Sequence, residues 1–281
     1  QVSRLTQLVP SSIRSSYRAK LFVLILCILI PLSIAGGVGY VVADGTAKSD
    51  AEQQLTANAE MHADSINEWV VSMDAHTRSV SQSGQLSNTG SETIEQQLIK
   101  KQAGLPADIR ALHVIETNNG TVLGSTAPRF SDSSVANIDA PWTEIEPGED
   151  LISTDDIWNS PTAYESSTLD DQVMAFASPV EGDESRILVL IGTIEFRVDN
   201  LEQLYDDQET AVLTADGETV LGTEAFDAGA SESVLNELGS AREGSSFETR
   251  GSLVAGYAAT GERNWVTVTA APDEQVFAVR D

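Results

Sequence analysis

The sequence is short of cysteine, histidine, lysine and aromatic residues, and each shortage closes off a class of function. Cys27 is the one cysteine, so no disulfide can staple the chain internally. Only three histidines occur, His62, His76 and His113, and no cysteine lies beyond residue 27. Metal sites built on Cys or His are therefore excluded, and no EF-hand spacing of acids is present. No HExxH, GxSxG, P-loop or GxGxxG pattern appears, so the chain is not read as an enzyme and no cofactor is implied. Only 16 Lys and Arg stand against 43 Asp and Glu, for a net charge of −27. The clustered basic surface that nucleic-acid binding requires is missing.

What is present can still build a core. Hydrophobic residues make up 41% of the 281, enough to fold if the charge is spread out or screened. The length suits one or two domains.

The charge falls into three zones. Residues 1–20 carry Arg4, Arg14, Arg18 and Lys20 and no acid, a balance of +4. Residues 21–43 carry no charge, and all 43 acids follow, against 12 bases, a balance of −31. The 23 uncharged residues would span roughly 34 Å as a helix, enough for a ~30 Å hydrocarbon core. Pro31, Gly36 and Gly37 sit in the second half of this run, and Tyr40 marks its far end. Membrane helices tolerate such residues. A cleaved secretory signal has a shorter apolar region, so the expectation is an uncleaved transmembrane helix. The basic flank at 1–20 then stays cytoplasmic, and the residues after 43 lie outside the cell membrane. The chain starts at Gln1 and stops at Asp281 within a helix-like stretch, and it reads as a piece of a longer protein.

After the apolar run, Leu55, Ala59, His62, Ile66, Trp69, Met73, His76 and Val80 recur at alternating spacings of 4 and 3. That is a heptad seam on one long amphipathic helix, within a segment 44–83, and it either packs on the chain's own domain or pairs with a second copy as a homodimer. His62 and His76 are read as hydrogen-bonded packing residues of that seam. Residues 91–101 form a second helix. The period then changes to two, with strands at 111–116 and 121–125 around the turn Asn118-Asn119-Gly120. Asn119 also begins a glycosylation sequon. A Ser-, Asp- and Pro-rich stretch follows from 127 to 169, then strong strands at 172–180 and 186–196 and a short helix at 197–205.

The order then repeats. Residues 210–223 read TAVLTADGETVLGT against the earlier HVIETNNGTVLGST, with a shared Val-Leu-Gly at 122–124 and 220–222. A helix at 231–241 and a closing hairpin of 253–260 with 265–271 complete the second copy, and Pro272 starts an exit helix at 273–281. The expected class is α+β: a transmembrane helix, a long amphipathic helix and two antiparallel-sheet domains, at 84–205 and 206–272.

This arrangement resembles the double Cache (PAS-like) sensor module, over about residues 45–281. The seam helix, the NNG-TVLG and DGETVLG hairpins, the strands VMAFASPV and ILVLIGTIEF, and the terminal WVTVTAAPDEQVFA carry the resemblance. The opening LVPSSIRSSYRAKLFVLILCILIP, joined to this acidity, resembles haloarchaeal methyl-accepting chemotaxis transducers. The resemblance implies a membrane-distal ligand domain at 84–205, a membrane-proximal domain at 206–272, a second membrane helix beyond 281, and cytoplasmic signalling partners. It implies small-molecule sensing as the input to chemotaxis. The same input module also serves sensor histidine kinases, and an extracellular module that docks a solute-binding protein is a third reading.

The candidate ligand residues follow from the long loop and the strands beneath it. They are Trp142, Trp158 and Tyr164 as walls, Asp155, Asp156, Asp170 and Asp171 as acids, Arg129 as the loop's one base, and Phe176 and Thr193 on the strands. Amino-acid-binding members of the family place an Arg two positions before the Trp and an Asp at the end of the last distal strand. Here those positions hold Ala140 and Thr193, and Thr143 replaces the Tyr that follows the Trp. A buried carboxylate without a cationic partner is costly, so a cationic ligand fits this loop better than an α-amino acid held in that mode.

Overall fold

The computed structural model describes residues 17–87, 90–127, 129–131, 133–145, 151, 157–166, 169, 172–193, 204–205, 207–214, 216–222, 239, 244–261 and 265–277. The side chains of 17–48, 184 and 250 are outside that description. The expected helices at 197–205 and 231–241 fall almost wholly outside the described residues.

The heptad seam belongs to one continuous helix, α1 (Tyr17–Ser81), which begins well before residue 44. Among the described residues no helix is long and apolar enough to cross a membrane. Gly84 follows at φ +63°, a left-handed conformation that ends helical continuation cheaply only for glycine. A second helix, α2 (Ser91–Gln102), turns its buried Ile94 and Leu98 inward. Gln54–Val276 form one unit, and Gln1–Gln53 with Phe277–Asp281 form another.

Within the larger unit two antiparallel sheets share one plan. The first contains β1 (Ile109–Glu116), β2 (Thr121–Ser125), β3 (Trp158–Asn159), β4 (Tyr164–Glu165), β5 (Gln172–Val180) and β6 (Asp183–Thr193). The second contains β7 (Glu209–Leu213), β8 (Thr219–Gly222), β9 (Ser245–Arg250), β10 (Leu253–Thr260) and β11 (Trp265–Pro272), before the short α3 (Asp273–Val276). Their strand orders are β2-β1-β6-β5-β3, with β4 also on β5, and β8-β7-β11-β10-β9. With β3 and β4, which both pair with β5, counted as one interrupted edge strand, both sheets read 2-1-5-4-3. β9, in a short polar segment, was not foreseen; it occupies the edge that β3 and β4 hold in the first sheet.

The turns carry the glycines that the repeat predicts. Gly120 (φ +65°) and Gly217 (φ +84°) occupy equivalent positions in the opening hairpins. Asn119 caps its own turn, accepting from the Thr121 N–H at 2.9 Å and donating to Glu116 at 2.6 Å.

Strand alternation divides the first sheet into two faces. Leu112, Val114, Met174, Phe176, Leu188 and Leu190 meet Ile66, Trp69 and Met73 of α1. Ala111, Ile115, Val173, Ala175, Val189 and Ile191 face the long loop instead, with Trp142 and Leu151. A register shift between Ile109 and Ala111 explains why these two residues, two apart, serve opposite faces. Cβ-less Gly192 admits α1 closely, since a Cβ there would lie 3.1 Å from both Met73 Sδ and Trp69 Cζ2.

The second sheet meets the same helix through a more polar layer. His62 Nδ1 lies 3.2 Å from Thr210 Oγ1 and 3.3 Å from Thr269 Oγ1, and Gln208 Nε2 donates to Asn58 Oδ1 at 3.0 Å. Gly256 lets the strand touch the helix backbone: a Cβ would fall 2.6 Å from Leu55 C and O.

The seam is therefore spent within the chain. Leu55, Ala59, His62, Ile66, Trp69, Met73 and Val80 are all buried in this single copy, while His76 is half-buried. Of the two outcomes open for the seam, packing on the chain's own sheets is the one seen in this single copy.

Candidate functional site

The loop face of the first sheet holds a small cleft, with about 20 Å³ of free volume and partly open to solvent. Ala111 and His113 of β1 and Ile191 of β6 form its floor. The loop supplies Phe130, Ile138, Ala140, Trp142 and Leu169 as walls, and Asp139, Tyr164 and Ser166 complete the lining. Trp142 is positioned by a 3₁₀ turn, Pro141–Glu144, with Pro at its first position, where a missing N–H costs nothing.

His113 organises the floor. It is 1% exposed and lies between Phe130, edge-on at 5.4 Å, and Trp142, stacked at 5.3 Å with planes 17° apart. Its Nδ1 is 2.9 Å from Ser125 Oγ. The single Ser125 hydroxyl hydrogen goes to the Ala127 carbonyl at 2.8 Å, and the same oxygen accepts from the Ala127 N–H at 2.9 Å. Nδ1 must then carry the proton and donate, which leaves Nε2 as an acceptor. No described group bonds Nε2. Burial pulls the imidazole from 6.5 down to about 4, so it is neutral at ordinary pH.

Tyr164 is pushed well above the usual phenol range, chiefly by burial and against the opposing effect of a hydrogen bond from Trp142. It is a neutral phenol, and the Trp142 N–H is already used. Among the described lining residues Asp139, which is exposed, carries the one charge, and none is basic.

The structure brings together only some of the residues expected from sequence. Trp142 and Tyr164 line the cleft. Trp158 packs on the same loop-face cluster and pairs with Ala177 across β3 and β5, outside the lining. Phe176 lies on the opposite face of the sheet, edge-on to Trp69 at 5.6 Å, so it supports α1 and does not reach the cleft. Thr193 is buried at the end of β6, its N–H donating to the Asp108 carbonyl at 2.8 Å and its hydroxyl to the Gln172 carbonyl at 3.3 Å, and it is outside the lining. Arg129 is exposed and also outside it. Asp155, Asp156, Asp170 and Asp171 lie outside the described residues. His113 and Asp139 were missed. Alternation along β1 could have found the first, because Ala111, His113 and Ile115 share a face. Among the described residues no cluster of three potential metal ligands occurs.

The fold, a long helix backed by two antiparallel sheets, is similar to that of chemoreceptor sensory domains. The sensory domain of the Campylobacter jejuni chemoreceptor Tlp3, with isoleucine bound, superposes with a TM-score of 0.58 at 11% identity, over 85% of this chain and 98% of that one. The extracellular domain assigned to histidine kinase soHK1S-Z6 does so at 0.58 and 12%, over 83% and 98%. By sequence the chain is related to haloarchaeal transducer proteins. Transducer protein Htr6 of Halobacterium salinarum is 31% identical over 97% of this chain and 34% of its own length. Transducer protein Htr18 of the same organism is 25% identical over 96% of this chain and 33% of its own. The chain thus spans about a third of the curated relatives it matches. No family model matches the sequence.

Proposed function

We propose that this chain is the extracellular input region of a chemotaxis transducer and that its cleft under the 127–171 loop receives a small molecule. The observation that carries the reading is the coincidence of relatedness to transducers over nearly the whole chain with a cleft on the loop face of the first sheet. Residues 21–43 anchor it in the cell membrane, with 1–20 cytoplasmic and the rest outside. The first sheet, within 84–205, is the membrane-distal Cache-like domain. The second, within 206–272, is the membrane-proximal one and leads through 273–281 toward a second membrane helix. Cytoplasmic signalling partners belong to the remainder of the longer protein.

Signalling fits the contacts of α1. The first sheet holds the helix through a dry layer around Trp69, and the second through the Thr210–His62–Thr269 layer. A ligand that favours one packing of the first sheet on α1 shifts the helix against the second. Two copies would pair through the outward face of α1, where Met61 is 44% and Val71 57% exposed.

The same input serves a histidine kinase equally well, and the fold neighbour of that class supports this second reading. The sequence that follows residue 281 in the gene separates the two. Direct sensing is tested by thermal denaturation of the chain against a broad metabolite panel, alongside an Ala140→Trp variant that fills the cleft. Stabilisation of the parent but not the variant is expected. No stabilisation by any compound, or equal stabilisation of both, would sink the reading.

A further inference from the structure

The hairpin turn between β1 and β2 carries Asn119-Gly120-Thr121, the one Asn-x-Ser/Thr sequence without an intervening proline among the chain's ten asparagines. That pattern is the acceptor for N-linked glycans and needs a surface position in an exported segment. The turn supplies the surface position, since Asn118 and Asn119 are both exposed. Thr117 at its start donates its N–H to the Ser185 carbonyl at 2.8 Å, and the adjacent Arg186 donates to the Leu86 and Ser87 carbonyls at 2.7 and 2.9 Å. The turn therefore lies beside the chain that has just left the C-terminal end of α1. From Gln54 to Ser81 that helix rises roughly 40 Å, so the turn sits at the end of its unit away from Gln54. The hairpin itself does not ask for the sequon. The matching turn of the second sheet keeps its glycine, Gly217 at φ +84°, with Asp216 and Glu218 where Asn119 and Thr121 stand in the first.

We propose that Asn119 is an N-glycosylation site, modified from a lipid-linked oligosaccharide by a membrane-bound transferase. This rests on the residues after 43 lying outside the cell. In the transfer, Asn119 Nδ2 bonds to the anomeric carbon of the first sugar, and the bond from that carbon to the lipid phosphate oxygen breaks. The lipid phosphate leaves, and a base of the transferase takes the displaced amide proton. The folded turn accommodates the product. Nδ2 has two hydrogens, of which one serves Glu116; the transfer replaces one and leaves one. Oδ1 is untouched and keeps the Thr121 N–H. The inward side of the turn is Gly120, where a Cβ would lie 2.7 Å from Val135 Cγ2 and where the carbonyl accepts from the Val135 N–H at 2.8 Å. Because those contacts hold the sequon against residues 133–135, transfer precedes closure of the loop on the hairpin, and the glycan then projects from the exposed side.

The test is peptide mass spectrometry of the 281-residue chain isolated from the membrane of a haloarchaeal host. The peptide holding Asn119 should carry a covalent glycan in the parent and in Thr121→Ser. It should lose the glycan entirely in Asn119→Gln and in Thr121→Val, which keeps a branched side chain in β2. An unmodified Asn119 in the parent overturns the proposal, as does one that is only deamidated. A further variant, Asp216→Asn with Glu218→Thr, puts a second sequon in the matching turn and separates two kinds of failure. If that turn is modified and Asn119 is not, the chain lies outside the cell and Asn119 is not an acceptor. If neither is modified, the proposal falls, and protease added to intact cells decides the rest. Cleavage after residue 43 keeps the extracellular reading, and full protection overturns that reading too.

Discussion

His113 lies flat against Trp142, with ring centroids 5.3 Å apart and planes 17° from parallel. A residue of a central strand is thereby tied to the loop that covers it, and the tie depends on an uncharged imidazole. Burial lowers its pKa from 6.5 to about 4. Between those values the unfolded chain takes up a proton and the folded chain does not. The contribution is therefore complete above about pH 6.5, declines as pH falls through that window, and is gone below about 4. The shift corresponds to about 3 kcal/mol. Denaturation of the parent and His113→Phe, followed from pH 7 to 4, should show the parent losing stability relative to the variant as pH falls. Parallel curves would show that the imidazole is not neutral and buried in the fold.

The contact of β10 with α1 predicts an intolerant glycine. Gly256→Ala places a methyl group 2.6 Å from the Leu55 carbonyl, where neither backbone can yield easily. Overpacking of this kind costs about 1–3 kcal/mol. Gly104→Ala, whose methyl group would lie 3.6 Å from the Lys101 carbonyl oxygen, is the matched control and should be near neutral. Urea denaturation of both variants checks the pair, and equal stabilities would contradict the close crossing.

Trp69 links the helix to the first sheet in two ways. Its ring is 0% exposed and edge-on to Phe176, and its Nε1 donates to Asp108 Oδ2 at 3.1 Å. Trp69→Phe removes volume and strips that carboxylate oxygen of its donor, for an expected loss of about 2 kcal/mol. Adding Asp108→Ala should restore part of the loss, because the stranded carboxylate goes with it. A double variant as unstable as the sum of the two singles would show that the pair is not coupled.

Burial of the heptad seam makes a directional prediction about pairing of copies. In a Cys27→Ser background, Met61→Cys or Val71→Cys should give interchain disulfides in the membrane, whereas Ile66→Cys should not. Cross-linking confined to Ile66 would mean that the seam opens toward a second copy. Absence of cross-linking at all three positions would argue against pairing through this helix.

Much of the fold was legible because its signals are local. Heptad spacing placed α1, although apolar spacing alone could not choose between a partner helix and the chain's own sheets. The paired Val-Leu-Gly hairpins suggest the repeat, and each opens one of two sheets of similar strand order. β9 was not legible, since its short polar segment lacks a strong alternation and owes its place to pairing with β10. The site was legible only in part. Trp142 and Tyr164 stand out by residue type, but Phe176 is assigned to a face by alternation along β5, which sends it toward Trp69. Alternation along β1 puts His113 on the loop face, but nothing local marks that face as the site; its neighbours Ser125, Phe130 and Trp142 come together only through the hairpin and the loop.

The central claim is that a ligand occupies the cleft beneath the loop. Amide hydrogen exchange, measured with and without a compound that stabilises the chain, tests this most directly. The account predicts added protection at 111–115 and 138–144, with smaller changes in the second sheet at 210–213. Protection confined to the second sheet, or to the exposed face of α1, would contradict it.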